Sequence, residues 1–106
     1  MIYYNLPVYK LSYQLIRVIF ECGSKFSREY RYTTGQDLKK EGAALIKNIY
    51  RANKAEDKTI AIAFAKENVE IMRLYVRLMH DFNQISLKKF VEINLAIDDV
   101  SKQLCN

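Results

Sequence analysis

The chain has 106 residues, half of them apolar and 27% charged, which suits one globular domain with a real core and leaves no room for a second. Three Gly and one Pro are too few for the tight turns of a β fold, and the longest apolar run, Ile60–Ala65, is far short of the about 20 residues a membrane span needs. The net charge of +5 is unevenly spread: residues 1–58 hold 11 Lys/Arg against 6 Asp/Glu and seven of the eight tyrosines, while residues 59–106 hold 6 against 6, so an anionic partner should meet the first half.

The first helix is expected over Pro7–Cys22. Pro suits a first helical turn, and Gly23 stands where a left-handed residue would close the end. Val8, Leu11, Leu15, Val18 and Cys22 form its apolar seam, widened by Ile16, Ile19 and Phe20. A polar-aromatic connection, Ser24–Tyr32, follows. The second helix opens at Thr33 or Thr34, where Thr33 and Gln36 match a capping box. It carries Leu38, Leu45, Ile49 and Ala52 and ends near Asn53–Asp57. No Gly or Pro forces that end, but one helix from Gln36 to Phe82 would be far longer than globular helices are, and Asp57 can cap a new one.

The third helix, Lys58–Phe82, carries Ile62, Ala65, Val69, Met72, Val76 and Met79 at alternating spacings of three and four. After a turn at Asn83–Ile85, Ser86 is a good N-cap, and Ile85 with Phe90 fits a hydrophobic staple across it. The fourth seam is Phe90, Ile93, Ile97, Val100 and Leu104. Short connections make successive helices antiparallel neighbours. The expected fold is therefore all-α, an antiparallel up-down-up-down four-helix bundle over residues 1–106, with helices roughly 25–35 Å long.

Catalytic groupings are hard to find. A bundle can hold two irons with Glu-x-x-His motifs, but the one histidine, His80, follows Arg77 where the glutamate would stand and reads as an end-of-helix residue. Glu67 and Glu70 lie near Lys66 and Arg73 and read as a solvated ion-pair surface. Asp98 and Asp99 are adjacent, so they diverge by about 100° on a helix. Cys22 and Cys105 have no metal-ligand spacing; they read as reduced, half-buried residues of an intracellular protein, with a disulfide as the lesser alternative. Met1–Lys10 lacks the basic start and apolar stretch of a secretory signal. These readings point away from an enzyme, a cofactor, a metal or a membrane, and towards the cytoplasm.

Basic patterning does stand out. Lys40, Lys47, Arg51 and Lys54 share a narrow stripe on the second helix, about 160° from the apolar stripe. Lys66, Arg73, Arg77 and His80 repeat the device on the third. The connection Phe26–Tyr32 interleaves Arg28 and Arg31 with aromatics. Such stripes hold phosphates and exposed aromatics stack bases. Equally, a basic stripe is often only a solvated helix face, and aromatics in a connection often close the end of a bundle.

Leu6-Pro-Val-Tyr-Lys10, Lys25-Phe-Ser-Arg-Glu-Tyr-Arg-Tyr-Thr-Thr-Gly-Gln-Asp-Leu38 and Ile49-Tyr-Arg-Ala-Asn53 resemble the accessory variability determinant proteins of diversity-generating retroelements. Ile85-Ser-Leu-Lys-Lys-Phe90 fits that family's fourth helix. Those proteins are similar in turn to four-helix proteins encoded in 23S ribosomal RNA intervening sequences, which typically show Asn-Ile-Ala-Glu-Gly late in the second helix. Here that place reads Asn48-Ile-Tyr-Arg-Ala52, favouring the retroelement branch. The resemblance implies a basic homopentamer that binds the element's reverse transcriptase and RNA and/or DNA and assists mutagenic cDNA synthesis without catalysing it. Lys40, Lys47, Arg51 and Lys54 would be the nucleic-acid-binding residues, with Arg28 and Arg31 behind them. Family members tend to be more basic than this chain, although five copies would still total about +25. The alternative is a structural oligomerisation scaffold of the intervening-sequence type, held by the tyrosine-rich first half.

Overall fold

The structure, a computed structural model, describes residues 6–105. Its helices are α1 (Pro7–Gly23), a single turn α2 (Arg28–Arg31), α3 (Thr34–Lys54), α4 (Thr59–Asp81) and α5 (Leu87–Cys105). Each long helix packs on its chain neighbour, and α1 closes the ring against α5. The result is an all-α, antiparallel, up-down-up-down four-helix bundle of 43 × 23 × 19 Å. Among the described residues no helix is long and apolar enough to cross a membrane.

The seams of α3, α4 and α5 lie where apolar periodicity puts them, except that Ile62 at the start of α4 and Phe90 at the start of α5 are only half-buried. Leu38, Leu45 and Ile49 interlock with Ala65, Val69, Met72, Val76 and Met79, and with Ile93, Ile97, Val100 and Leu104, in one core. On α1 the innermost line is instead Ser12, Leu15, Ile19 and Gly23. Val8, Leu11, Val18 and Cys22 lie on its half-buried flanks, packed against the core. Phe20, expected in the stripe, is exposed.

The helix ends show what local chemistry does. Gly23 is not a left-handed cap: it is the last residue of α1, buried, and the following Ser24 has helical backbone. The Ser24 hydroxyl donates to the Glu21 carbonyl at 2.7 Å. Nor does the Thr33–Gln36 capping box form; the Thr33 hydroxyl donates backwards to the Glu29 carbonyl of α2 at 2.7 Å. A helical turn at 28–31 leaves open carbonyls within reach of that hydroxyl. At the other end of α3, the Lys58 ammonium donates to the Ala52 carbonyl at 2.7 Å, placing a cation on a helix C-terminus. Asp57 accepts the Thr59 N–H at 3.0 Å, starting α4. The one positive φ among the described residues belongs to Asn83, at 64°. It sits just past α4, with Gln84 N–H donating to Met79 O and Asn83 N–H to His80 O, the bonds of a Schellman close. Ser86 caps α5 as expected, accepting the Lys89 N–H at 3.2 Å. His80 seals the turn, its Nδ1 2.8 Å from the Ile85 carbonyl and its ring stacked on Phe90.

Both cysteines are free. Cys22 is half-buried, but Cys105 is exposed rather than half-buried, because α5 ends there. They lie at the C-terminal ends of two antiparallel helices, hence at opposite ends of the bundle. A disulfide needs Cα atoms within about 7 Å, so these two cannot pair within one chain.

Candidate nucleic-acid interface

The outward face of α3 follows from its inward one. Leu38, Leu45, Ile49 and Ala52 bury one side of the helix, and Lys40, Lys47, Arg51 and Lys54, on the opposite arc, are all exposed. Lys47, Arg51 and Lys54 gather with Tyr50 over two turns; Lys47, Tyr50 and Arg51 line a shallow concavity with Ile46. The Lys54 ammonium sits 5.1 Å from the centre of the Tyr50 ring and hydrogen-bonds that side chain, which raises the lysine pKa. Lys40 stands two turns further towards the N-terminus of α3.

Arg51 has a second connection, inwards. Its guanidinium reaches Asn48 Oδ1 at 3.5 Å. Asn48, buried, donates to Asn68 Oδ1 of α4 at 2.7 Å, and Asn68 donates to Glu41 Oε1 at 2.9 Å. Sequence reasoning missed this chain of hydrogen bonds, though a signal was present: Asn48 and Asn68 each stand beside a seam residue, Ile49 and Val69, on the inner side of an amphipathic helix.

Arg28 and Arg31 are set apart from the stripe. They lie on α2, which packs on α3 at the end remote from Lys54. Arg28 is exposed, whereas Arg31 is half-buried with its guanidinium 5.4 Å from the Tyr32 ring centre. Most aromatics of that connection close the bundle end. Phe26 is fully buried, Tyr30 stacks on Phe82 at 5.6 Å, and Ser27 N–H donates to the Gln84 side chain across the end. Tyr32 alone among them projects into solvent.

The basic stripe of α4 differs from that of α3. Arg73 is held by Glu70 at 3.3 Å and by Asp98 of α5 at 2.8 Å. Arg77 faces Asp81 at 3.8 Å, and His80 is used by the turn described above. Every ion pair among the described residues lies on α4 or α5. Among those residues, no acidic side chain forms such a pair with Lys40, Lys47, Arg51 or Lys54.

Two further surfaces were not singled out from the sequence. On α1, Tyr13 and Phe20 are exposed, with Lys39 of α3 poised 5.2 Å from the Phe20 ring centre and Tyr9 stacked on Tyr13. On the other half, Ile60 and Leu74 of α4 and Leu87 and Leu95 of α5 are exposed at 61–68%. Their signal is a second apolar periodicity, Ile60–Phe64–Leu74–Leu78, on the side of α4 opposite its core seam. Among the described residues, no three His, Cys, Asp or Glu side chains gather to hold a metal. The chain matches no family model and no curated protein.

Proposed function

We propose that this protein is a non-catalytic accessory protein that binds nucleic acid through the outward face of α3. The observation that carries this reading is the contrast between two basic stripes: on α4, Arg73 and Arg77 are engaged by carboxylates and His80 by the helix end, leaving Lys66 alone, while all four cations of the α3 stripe have no acidic partner among the described residues. A row of cations without internal counter-charge attracts a polyanion and releases its condensed counterions on binding. With the resemblance to accessory proteins of diversity-generating retroelements, the reading extends to a reverse transcriptase as protein partner, with the complex supporting mutagenic cDNA synthesis in the cytoplasm.

The exposed aliphatic rows of α4 and α5 support self-association, including the homopentamer the resemblance implies. They lie on the half of the chain whose charges cancel, so copies joined there would keep their basic α3 faces outward. The same rows favour the second reading, a structural scaffold of the intervening-sequence type in which the basic face is only solvated.

Fluorescence anisotropy of labelled structured RNA and duplex DNA, titrated at several salt concentrations, separates the two. Micromolar or tighter binding with a steep salt dependence is expected, and Lys47→Glu with Arg51→Glu should abolish it while leaving helicity intact. Flat titrations at low salt would remove the nucleic-acid reading and leave the scaffold.

A further inference from the structure

We propose that the nucleic acid held by this face is single-stranded, its bases stacking on an aromatic row along the α1–α3 seam while the α3 cations hold its phosphates. The inference rests on the nucleic-acid reading of α3 and adds the form of the ligand and a second helix to the site.

The row is built by register. Tyr13 and Phe20 stand two helical turns apart, about 10 Å along α1, and expose 52% and 43% of their surface. Between them Ile16 packs against α3 where Gly42 allows close approach; a Cβ there would lie 3.2 Å from Ile16 Cγ1. Phe20 sits under Lys39. Since the helices are antiparallel, pairing 20 with 39 and 16 with 42 brings Tyr13 level with Ile46 and Tyr9 level with Tyr50. Register therefore sets the aromatics from Phe20 to Tyr50 in sequence along the α1–α3 seam, with the concavity at Tyr13 and Phe20 on the α1 side and that at Lys47, Tyr50 and Arg51 on the α3 side.

Duplex DNA or RNA would use little of this. Its bases are already stacked inside the helix, and it presents phosphates that cations alone can hold. Aromatic faces beside a basic track are what unpaired bases use, because every base has a face to stack and none needs a particular edge. The exposed rows of α4 and α5 lack this composition: they are mainly aliphatic and lie near paired charges, as a protein contact would be.

The test titrates a single-stranded oligonucleotide carrying 2-aminopurine, and the same sequence as a blunt duplex, against three proteins. They are the unsubstituted chain, Tyr13→Leu with Phe20→Leu, and Lys47→Glu with Arg51→Glu. Leucine keeps apolar bulk on α1 and removes only the aromatic faces, and the comparison of strand forms on the unsubstituted chain needs no variant. The single strand should bind at least about tenfold tighter than the duplex, with 2-aminopurine fluorescence quenched. The leucine pair should lose at least about tenfold on the single strand and little on the duplex. Equal affinity for the two forms with an unquenched base overturns the inference and leaves the nucleic-acid reading standing. So does a loss confined to the charge-reversed pair. Absence of binding to either form overturns both.

Discussion

Asn48 of α3 donates to Asn68 of α4 across 2.7 Å, in the interior of an otherwise apolar helix pair. Each amide would be left without its partner if α4 slid or turned against α3, and a buried polar group without a partner costs about 1–3 kcal/mol. Leucine or methionine seams tolerate small shifts; two amides that must meet do not. Asn68 also bonds Glu41, and Asn48 meets Arg51, so the pairing sets the register of α3 and α4 from core to basic face.

Asn68→Leu should therefore destabilise the protein by about 1–3 kcal/mol, because Asn48 stays buried without its acceptor. For a domain near 100 residues each kcal/mol lowers Tm by roughly 4–8 °C. Replacing both asparagines with leucine should cost clearly less than the sum of the single changes, since neither polar group then remains to be satisfied. Urea and thermal unfolding of the four-member cycle measure this. Strict additivity would show that the two amides do not act as a pair.

Two helical glycines should respond to alanine in opposite directions. At Gly23 a new Cβ would meet only the Lys39 side chain, at 3.4 Å, and the backbone is already helical. Gly23→Ala should stabilise by about 0.5–1 kcal/mol through reduced chain entropy. At Gly35 the Cβ would lie 2.9 Å from the Tyr30 carbonyl oxygen and 3.2 Å from the Phe26 ring. Backbone and a buried ring cannot yield cheaply, so Gly35→Ala should destabilise by about 1–3 kcal/mol. If Gly23→Ala instead lowered Tm, the end of α1 would have to be left-handed after all.

Much of this architecture was legible in the sequence, for a definable reason. Apolar spacing of three and four reports directly which side of a helix is buried, and α3, α4 and α5 obey it from Leu38 to Leu104. Ser86 and Asp57 were legible because their side chains act within three residues. Gly23 and Thr33 misled because other hydrogen bonds won: Ser24 stays helical, its N–H on the Phe20 carbonyl and its hydroxyl on that of Glu21, and the Thr33 hydroxyl bonds a carbonyl of α2. The α3 basic stripe was visible as a stripe. On its α4 counterpart the Glu70–Arg73 pair was legible from spacing of three, but the Asp98 partner, which lies 25 residues from Arg73, was not. The aromatic row of α1 depended likewise on helix register, which single-helix periodicity does not carry.

The contrast between the two stripes makes separate demands on their arginines and lysines. Lys47→Ala or Lys54→Ala should weaken nucleic-acid binding similarly for all sequences. Each should also reduce the slope of log affinity against log salt by about 0.7–0.9 for every phosphate that the removed cation neutralised. Neither should change Tm appreciably, as both side chains are exposed. Arg73→Ala should do the reverse, leaving the salt slope unchanged while removing the ion pairs to Glu70 and Asp98. These pairs are largely solvent-exposed, so the loss of stability should stay below about 1 kcal/mol. An Arg73 variant with a reduced salt slope would place the binding face on α4 instead.

Cys22 supplies a pH-dependent prediction. Burial beside α5 pushes its thiol above the ordinary cysteine value, against the opposing pull of Lys89 and Lys25. Between the ordinary value of about 8.5 and the raised one, the folded protein keeps a proton that the unfolded chain releases. Stability contributed by this group is therefore intact below about pH 8.5 and declines as pH rises above it. Unfolding free energies of a Cys105→Ser protein, compared with the same protein also carrying Cys22→Ala, should run parallel from about pH 6 to 8 and converge above. Alkylation of Cys22 by iodoacetamide should be slower in the folded state than in urea at about pH 8.5, and slower still in Lys89→Gln, which removes a cation that favours the thiolate. Equal alkylation rates in folded and unfolded protein would mean that the thiol is neither shielded nor shifted by its position between α1 and α5.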